Sequence, residues 1–217
     1  MSLLWKHDLR AIRDQSLLVG VDEAGRGPLA GPVIAAAVAL KPGFFRKASH
    51  RKNSKGFNDS KQVREPRRRE LFAWMEKARR QKRLAFAWAE AGVEEIEQLN
   101  IFQATVLAMK RAIARLPSEW TPNPTDEELP LFSVQENQCA ASKASLILLD
   151  GKPMRKLGYP HNPIIKGDSK SLSIAMASIV AKTVRDRIMT DMISIYPQYG
   201  FDAHKGYGTP SHLKALE

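Results

Sequence analysis

The chain predicts an α/β fold, a mixed sheet with helices on its faces, and three observations carry that prediction. Short apolar runs of strand character recur along its 217 residues. Segments with apolar residues at helical spacing stand between and after those runs. The first two runs, 17–22 and 33–40, are joined by a linker rich in glycine and proline that is too short for a crossover, so the two strands are antiparallel neighbours.

The elements follow in order. Residues 17–22 and 33–40 read as buried strands, and the basic, polar stretch 44–57 reads as an exposed loop or hairpin. A helix over 66–79 has Pro66 in its first turn and Leu71, Trp74, Met75 and Ala78 at helical spacing. Residues 84–89 alternate as a third strand, and Asn100 caps a helix running to Arg115. Residues 117–145 carry prolines, an acidic patch and no period, which is the pattern of a surface insertion. Two short strands end at Asp150-Gly151 and at Gly167-Asp168. A long helix opens at Ser173, with Ile174, Ser178, Val180, Ala181, Val184, Ile188 and Met192 forming its stripe. A turn-rich tail centred on His204-Lys205-Gly206-Tyr207-Gly208 closes the chain, with a short helix after Pro210. Two units result, a main domain over 1–195 and a small helical tail over 196–217.

Composition narrows the partners. There are 34 Lys and Arg against 23 Asp and Glu, a net charge of +11, which favours a polyanion and nucleic acid first. The single Cys139 rules out an internal disulfide framework and a cysteine-rich zinc site, and it suits a reducing cytoplasm. No run reaches the ~18 apolar residues of a membrane span, and the first ten residues carry charges in place of a signal-peptide core.

The chemistry concentrates at the strand ends. Asp22 and Glu23 close the first apolar run, and Asp150 and Asp168 lie at or just beyond the ends of two later ones. Sites in open α/β sheets gather outside such ends. Four carboxylates brought together repel unless a cation compensates, and an all-oxygen set suits Mg²⁺ or Mn²⁺. Two such ions ~3.5–4 Å apart suit in-line displacement at a phosphodiester, with no histidine needed as base. Gly25-Arg26-Gly27 follows at once. It lacks the length and lysine of a Walker loop, but its backbone N–H groups suit a sugar hydroxyl, and the 2′-OH distinguishes RNA from DNA. Tyr207, in a glycine-flanked turn, can stack on a sugar or base. The basic run from Lys61 to Arg83 can follow phosphates, although most of its residues read as a solvated helix face, and Lys61, beside Asp59-Ser60, is the better phosphate contact. His204 reads as a hydrogen-bonded structural histidine.

A series of blocks runs through almost the whole chain in fixed order. It begins with Asp22-Glu23-Ala24-Gly25-Arg26-Gly27-Pro28-Leu29-Ala30-Gly31-Pro32-Val33 and Asp59-Ser60-Lys61. Asn100-Ile101-Phe102-Gln103-Ala104-Thr105, Asp150-Gly151 and Lys166-Gly167-Asp168 come next. Ala177-Ser178-Ile179-Val180-Ala181-Lys182 with Arg185-Asp186-Arg187, Tyr196-Pro197-Gln198-Tyr199-Gly200 and His204-Lys205-Gly206-Tyr207 complete it. This series resembles bacterial ribonuclease HII, a type 2 ribonuclease H.

The resemblance implies a ribonuclease H-like fold, with a central five-stranded mixed sheet flanked by helices and a small C-terminal helical extension. It implies hydrolysis of the RNA strand of RNA–DNA hybrids and cleavage 5′ of single ribonucleotides in duplex DNA, leaving 5′-phosphate and 3′-hydroxyl ends. It assigns metal-binding catalytic roles to Asp22, Glu23, Asp150 and Asp168 with Mn²⁺ or Mg²⁺. Reading of the ribonucleotide falls to Gly25, Arg26, Gly27 and Tyr207, and a backbone-phosphate contact to Lys61. A monomer, a cytoplasmic location and a replication-clamp contact are further expectations. Ribonuclease HIII typically has lysine where Arg26 stands, which argues against that relative, and the presence of all four acids argues against an idle nucleic-acid binder. The stretches 46–57 and 117–145 are longer than the family pattern, and the chain stops sooner after His212-Leu213 than members usually do, so weaker duplex affinity is expected.

Overall fold

The computed structural model describes residues 2–57, 63–123 and 144–217. Five strands, β1 (Leu17–Ala24), β2 (Val33–Leu40), β3 (Ala85–Ala91), β4 (Ser145–Asp150) and β5 (His161–Ile164), form one sheet in the order β3-β2-β1-β4-β5. β1, β2 and β3 pair antiparallel, whereas β4 and β5 join β1 in parallel. The helices are α1 (Leu3–Ala11), α2 (Ala48–Asn53), α3 (Glu65–Arg80), α4 (Val93–Ala114), α5 (Leu172–Asp191), α6 (Phe201–His204) and α7 (Pro210–Ala215). Among the described residues no helix is long and apolar enough to cross a membrane.

The period of two along each strand divides the core into two layers. Leu18, Ile34, Ala36, Val38 and Leu148 pack with residues of α1, α3 and α5. Val19, Val21, Ala35, Ala37, Ile147 and Leu149 pack on the other face against Met109, Ala112 and Ile113 of α4. The same alternation aims the strand-end acids. Asp22 follows Leu18 and Gly20 in parity, and Asp150 follows Leu148, so both belong to the α5 face. Val21 is level with Leu149 in the parallel β1/β4 pairing, which brings Asp22 and Asp150 to the same height on neighbouring strands.

α5 lies directly on β1. A Cβ at Gly20 would stand 2.2 Å from the backbone carbon of Ser173, so only glycine permits this approach. Gly20→Ala is expected to destabilise the protein by about 2 kcal/mol or more through overpacking against backbone. That corresponds to a fall in Tm of roughly 2–4 °C per kcal/mol, read in a melting curve. An unchanged Tm would show that α5 slides freely on the sheet.

Two local readings, of 44–57 and of the start of α4, need correction, and the N-terminus adds a helix. The stretch 44–57 is built of short helices with Phe44, Phe45, His50, Ser54 and Phe57 buried. Phe44 and Phe45 pack against Trp5, and Phe57 against Trp74, so the many lysines and arginines form only the outer side of a folded segment. The charged N-terminus is helical: Ser2 caps α1 by accepting from the Trp5 N–H, and buried Asp8 accepts from the Ser173 N–H. α4 starts before Asn100, which interrupts it at φ 68° and caps the second half by accepting from the N–H groups of Phe102 and Gln103. Asp59-Ser60-Lys61, most of 117–145 and Cys139 lie outside the described residues.

Candidate active site

Asp22 sits at the edge of the buried sheet, 4% exposed. Its carboxylate accepts from the Glu23 N–H at 2.8 Å and from the Ser178 hydroxyl of α5, and both donors are neutral. Burial holds its pKa well above the usual carboxylate range, and the charges of Glu23 and Asp150 push it the same way. Glu23 is also raised, first by burial and then by Asp150, although the Arg26 guanidinium opposes this with a 3.0 Å ion pair. Asp150 accepts from the Gly167 N–H at 2.6 Å. A Cβ at Gly167 would stand 2.6 Å from Ile174 and 3.2 Å from the Asp150 carboxylate, so glycine allows the turn to close over Asp150. Asp168 is the next residue, half-buried in the 3₁₀ turn Gly167–Ser169 between β5 and α5.

The structure therefore brings Asp22, Glu23 and Asp150 into mutual electrostatic range, with Asp168 on the adjoining turn. Among the described residues no three acid, histidine or cysteine side chains are spaced to enclose a metal ion. Each of the strand-end acids takes a local donor: Ser178 for Asp22, Arg26 for Glu23, Gly167 for Asp150. The donor chemistry fits a hard divalent cation, since the acids are all oxygen donors and the two groups that donate to the buried Asp22 carboxylate, the Glu23 N–H and the Ser178 hydroxyl, are neutral.

The Gly-Arg-Gly loop and the tail turn meet beside these acids. The Leu29 N–H donates to the Gly206 carbonyl at 2.9 Å. Gly27 faces open space, and Tyr207 is 40% exposed with the Lys182 ammonium 5.3 Å from its ring centroid. Ser178 and Lys182 are one turn apart on α5, so a single helix face carries both the donor to Asp22 and the cation over Tyr207. Lys182 is itself held by Asp186 at 2.7 Å, and Arg68 of α3 donates to the same carboxylate at 2.9 Å. His204 is structural as expected: its Nε2 pairs with the Tyr199 carbonyl and its Nδ1 accepts from the Gly206 N–H.

Sequence reasoning gave no special place to Ser178, Lys182, Arg68 or Arg185. Arg68 was counted with a solvated face, but it is a nearly buried tie between α3 and α5. Arg185 is 1% exposed, an unusual place for an arginine. Its position seven residues after Ser178, on the stripe side of α5, was the available signal.

A sheet of this order with acids at the ends of its parallel central strands is the frame of a ribonuclease H-like hydrolase. Comparison with known proteins gives the family. The family model for ribonuclease HII matches residues 19–217. The ribonuclease HII of Dechloromonas aromatica is 45% identical over 201 residues, covering 93% of this chain and 84% of that protein. Among solved structures, the PCNA:RNase HII complex from Archaeoglobus fulgidus aligns with a TM-score of 0.59 at 21% identity, over 92% of this chain and 86% of that one. Bst-RNase HIII in complex with Mn²⁺ aligns at 0.60 and 16% identity, over 95% and 71%. The chain belongs to the ribonuclease HII family. It is a metal-dependent endonuclease acting on RNA–DNA hybrids.

Proposed function

We propose that this enzyme also cuts on the 5′ side of a single ribonucleotide embedded in duplex DNA, and that it serves to remove misincorporated ribonucleotides and RNA primers in the cytoplasm. The observation that supports this reading most is the junction of the Gly-Arg-Gly loop with the Tyr207 turn, closed by the Leu29-to-Gly206 hydrogen bond beside the strand-end acids. One exposed tyrosine and one open glycine loop suit a single sugar and its neighbour, whereas reading a long hybrid needs no such local pair.

In this reading Asp22, Glu23, Asp150 and Asp168 hold Mn²⁺ or Mg²⁺. A pair of such ions, when bound, supplies the Lewis acidity that activates water and eases departure of the leaving oxygen. The chain's own residues do the rest. Ser178 and the Glu23 N–H fix the Asp22 carboxylate, and Arg26 pairs with Glu23 at the mouth of the loop, opposing the rise that burial gives its pKa. Backbone N–H groups at Gly25 and Gly27 and the Arg26 guanidinium receive the 2′-OH and the adjacent phosphate, while Tyr207 lies against the sugar at the RNA–DNA junction. Lys61 is assigned a backbone-phosphate contact. Water attacks phosphorus and the P–O3′ bond breaks. The upstream deoxynucleotide leaves with a 3′-hydroxyl, and the ribonucleotide keeps the 5′-phosphate.

A monomer organised as a main domain over 1–195 and a substrate-binding tail over 196–217 completes the proposal. A sliding-clamp contact is proposed from the PCNA complex of the Archaeoglobus relative. The deciding experiment compares three substrates with Mg²⁺ or Mn²⁺ present: a DNA duplex with one ribonucleotide, the same duplex all in DNA, and an RNA strand paired to DNA. Cutting 5′ of the lone ribonucleotide, with none of the all-DNA duplex, is the expected result. Cutting of the long hybrid alone would remove the junction-reading model.

A further inference from the structure

Arg185 makes three hydrogen bonds, all to backbone carbonyls and all away from its own helix. Nε donates to Pro32 at 3.0 Å, one terminal nitrogen to Ala30 at 2.9 Å, and the other to Lys205 at 2.9 Å. Two of these acceptors lie in the loop that carries Arg26, and the third lies two residues before Tyr207. The fork of the guanidinium thus spans two segments about 170 residues apart in sequence, which a lysine ammonium cannot reproduce as a planar, multi-pronged donor. The glycines around it are fitted to the same arrangement. A Cβ at Gly25 would meet Arg185 Nε at 2.6 Å, one at Gly31 would meet Met189 Sδ at 2.3 Å, and one at Gly206 would meet the Ala30 carbonyl oxygen at 2.5 Å. Burying a guanidinium beneath two loops is costly and pulls its pKa down. A core of the same volume is more cheaply built from apolar residues.

We propose that Arg185 is a positioning residue for ribonucleotide selectivity: it fixes the separation between the Gly-Arg-Gly loop and Tyr207 to the span of one ribose and its neighbour. This rests on the reading of that loop and Tyr207 given above. Arg185 touches neither substrate nor metal. Its effect is exerted through Ala30, Pro32 and Lys205, so its loss leaves the acids in place and loosens the distance between the two reading elements. A long hybrid, which presents a 2′-OH at every step, tolerates a loosened pair far better than a duplex offering one ribose.

The test measures kcat/KM of Arg185→Lys on the single-ribonucleotide duplex and on the long hybrid, with Mn²⁺, alongside Tm. The expected result is a loss on the single-ribonucleotide duplex at least tenfold greater than on the hybrid. Tyr207→Phe is expected to cost activity on the single-ribonucleotide duplex in the wild-type background and to cost little more once Arg185 is lysine, because the two act as one unit. Gly206→Ala provides a second route should Arg185→Lys fold poorly. It forces the same two segments apart with Arg185 intact and is expected to show the same selective loss. Equal losses on both substrates in either variant, or additive effects of Arg185→Lys and Tyr207→Phe, would overturn the proposal and leave Arg185 a structural tie. A wild-type enzyme that never cuts the single-ribonucleotide duplex would instead remove the junction-reading model itself.

Discussion

Asp22→Asn is expected to reduce hybrid cleavage by three orders of magnitude or more while leaving hybrid binding nearly intact. A thousandfold loss corresponds to about 4 kcal/mol of barrier. That is reasonable for a carboxylate that both neighbouring acids and a helix-borne hydroxyl surround, and whose hydrogen-bond donors among the described residues are neutral. The amide keeps the shape of the side chain and its hydrogen bond from Ser178, so the fold survives. It removes one negative charge, which favours the approach of a polyanion. Binding measured by fluorescence anisotropy with a labelled hybrid, beside a gel assay of cleavage, separates the two effects. Persistent cleavage would refute the assignment of Asp22.

The same substitution is expected to raise the Tm of the metal-free protein at neutral pH. Burial lifts the Asp22 pKa above its value in the unfolded chain, near 4. The folded state therefore binds this proton more tightly than the unfolded state, and stability falls as pH rises from the unfolded value through the raised one. The penalty is complete above that raised pKa. Asparagine never carries the charge, so the Tm gap between variant and wild type should be small at acid pH and open as pH rises. About 2–4 °C is recovered per kcal/mol. Mn²⁺ should narrow the gap at pH 7–8 by stabilising the wild type more than the variant. A gap that ignores both pH and Mn²⁺ would mean that Asp22 carries no uncompensated charge.

What could be read in advance followed the range of the interactions involved. The placement of Asp22 and Asp150 on one face was legible because it depends on strand alternation, a local property of 17–22 and 146–149. The antiparallel β1/β2 pair was legible from its short linker. The burial of 44–57 was not, because Phe44, Phe45 and Phe57 sit among five lysines and arginines and find their partners in Trp5 and Trp74, remote in sequence. Arg68 looked like its exposed neighbours Arg67 and Arg69, which pair along their own helix with Glu70 and Glu65. Its partner, Asp186, is 118 residues away. Arg185 is the extreme case. Its acceptors are backbone carbonyls, which every residue possesses, so no pattern of side chains announces them.

Gly25 and Gly27 occupy equivalent-looking places in one short motif, yet their substitution by alanine is expected to fail in different ways. Gly25 has φ +113°, where an L side chain is strained. A Cβ there would stand 2.5 Å from the Pro32 carbonyl oxygen and 2.6 Å from Arg185 Nε, the two atoms that hydrogen-bond each other. Gly25→Ala must break that bond or move the loop, at a cost of about 1–3 kcal/mol. Tm and activity should fall together, with cleavage of the single-ribonucleotide duplex down by at least tenfold. A Cβ at Gly27 meets nothing within 4 Å. Gly27→Ala should leave stability within about 0.5 kcal/mol of wild type, as an exposed substitution does. If backbone at Gly27 approaches the ribose, the methyl group intrudes on substrate alone, so KM rises while the melting curve stays put. A stable, fully active Gly27→Ala enzyme would show that the loop reads its substrate through Arg26 and Gly25 without close contact at residue 27. An unperturbed Tm for Gly25→Ala would contradict the tight packing of that loop against Arg185.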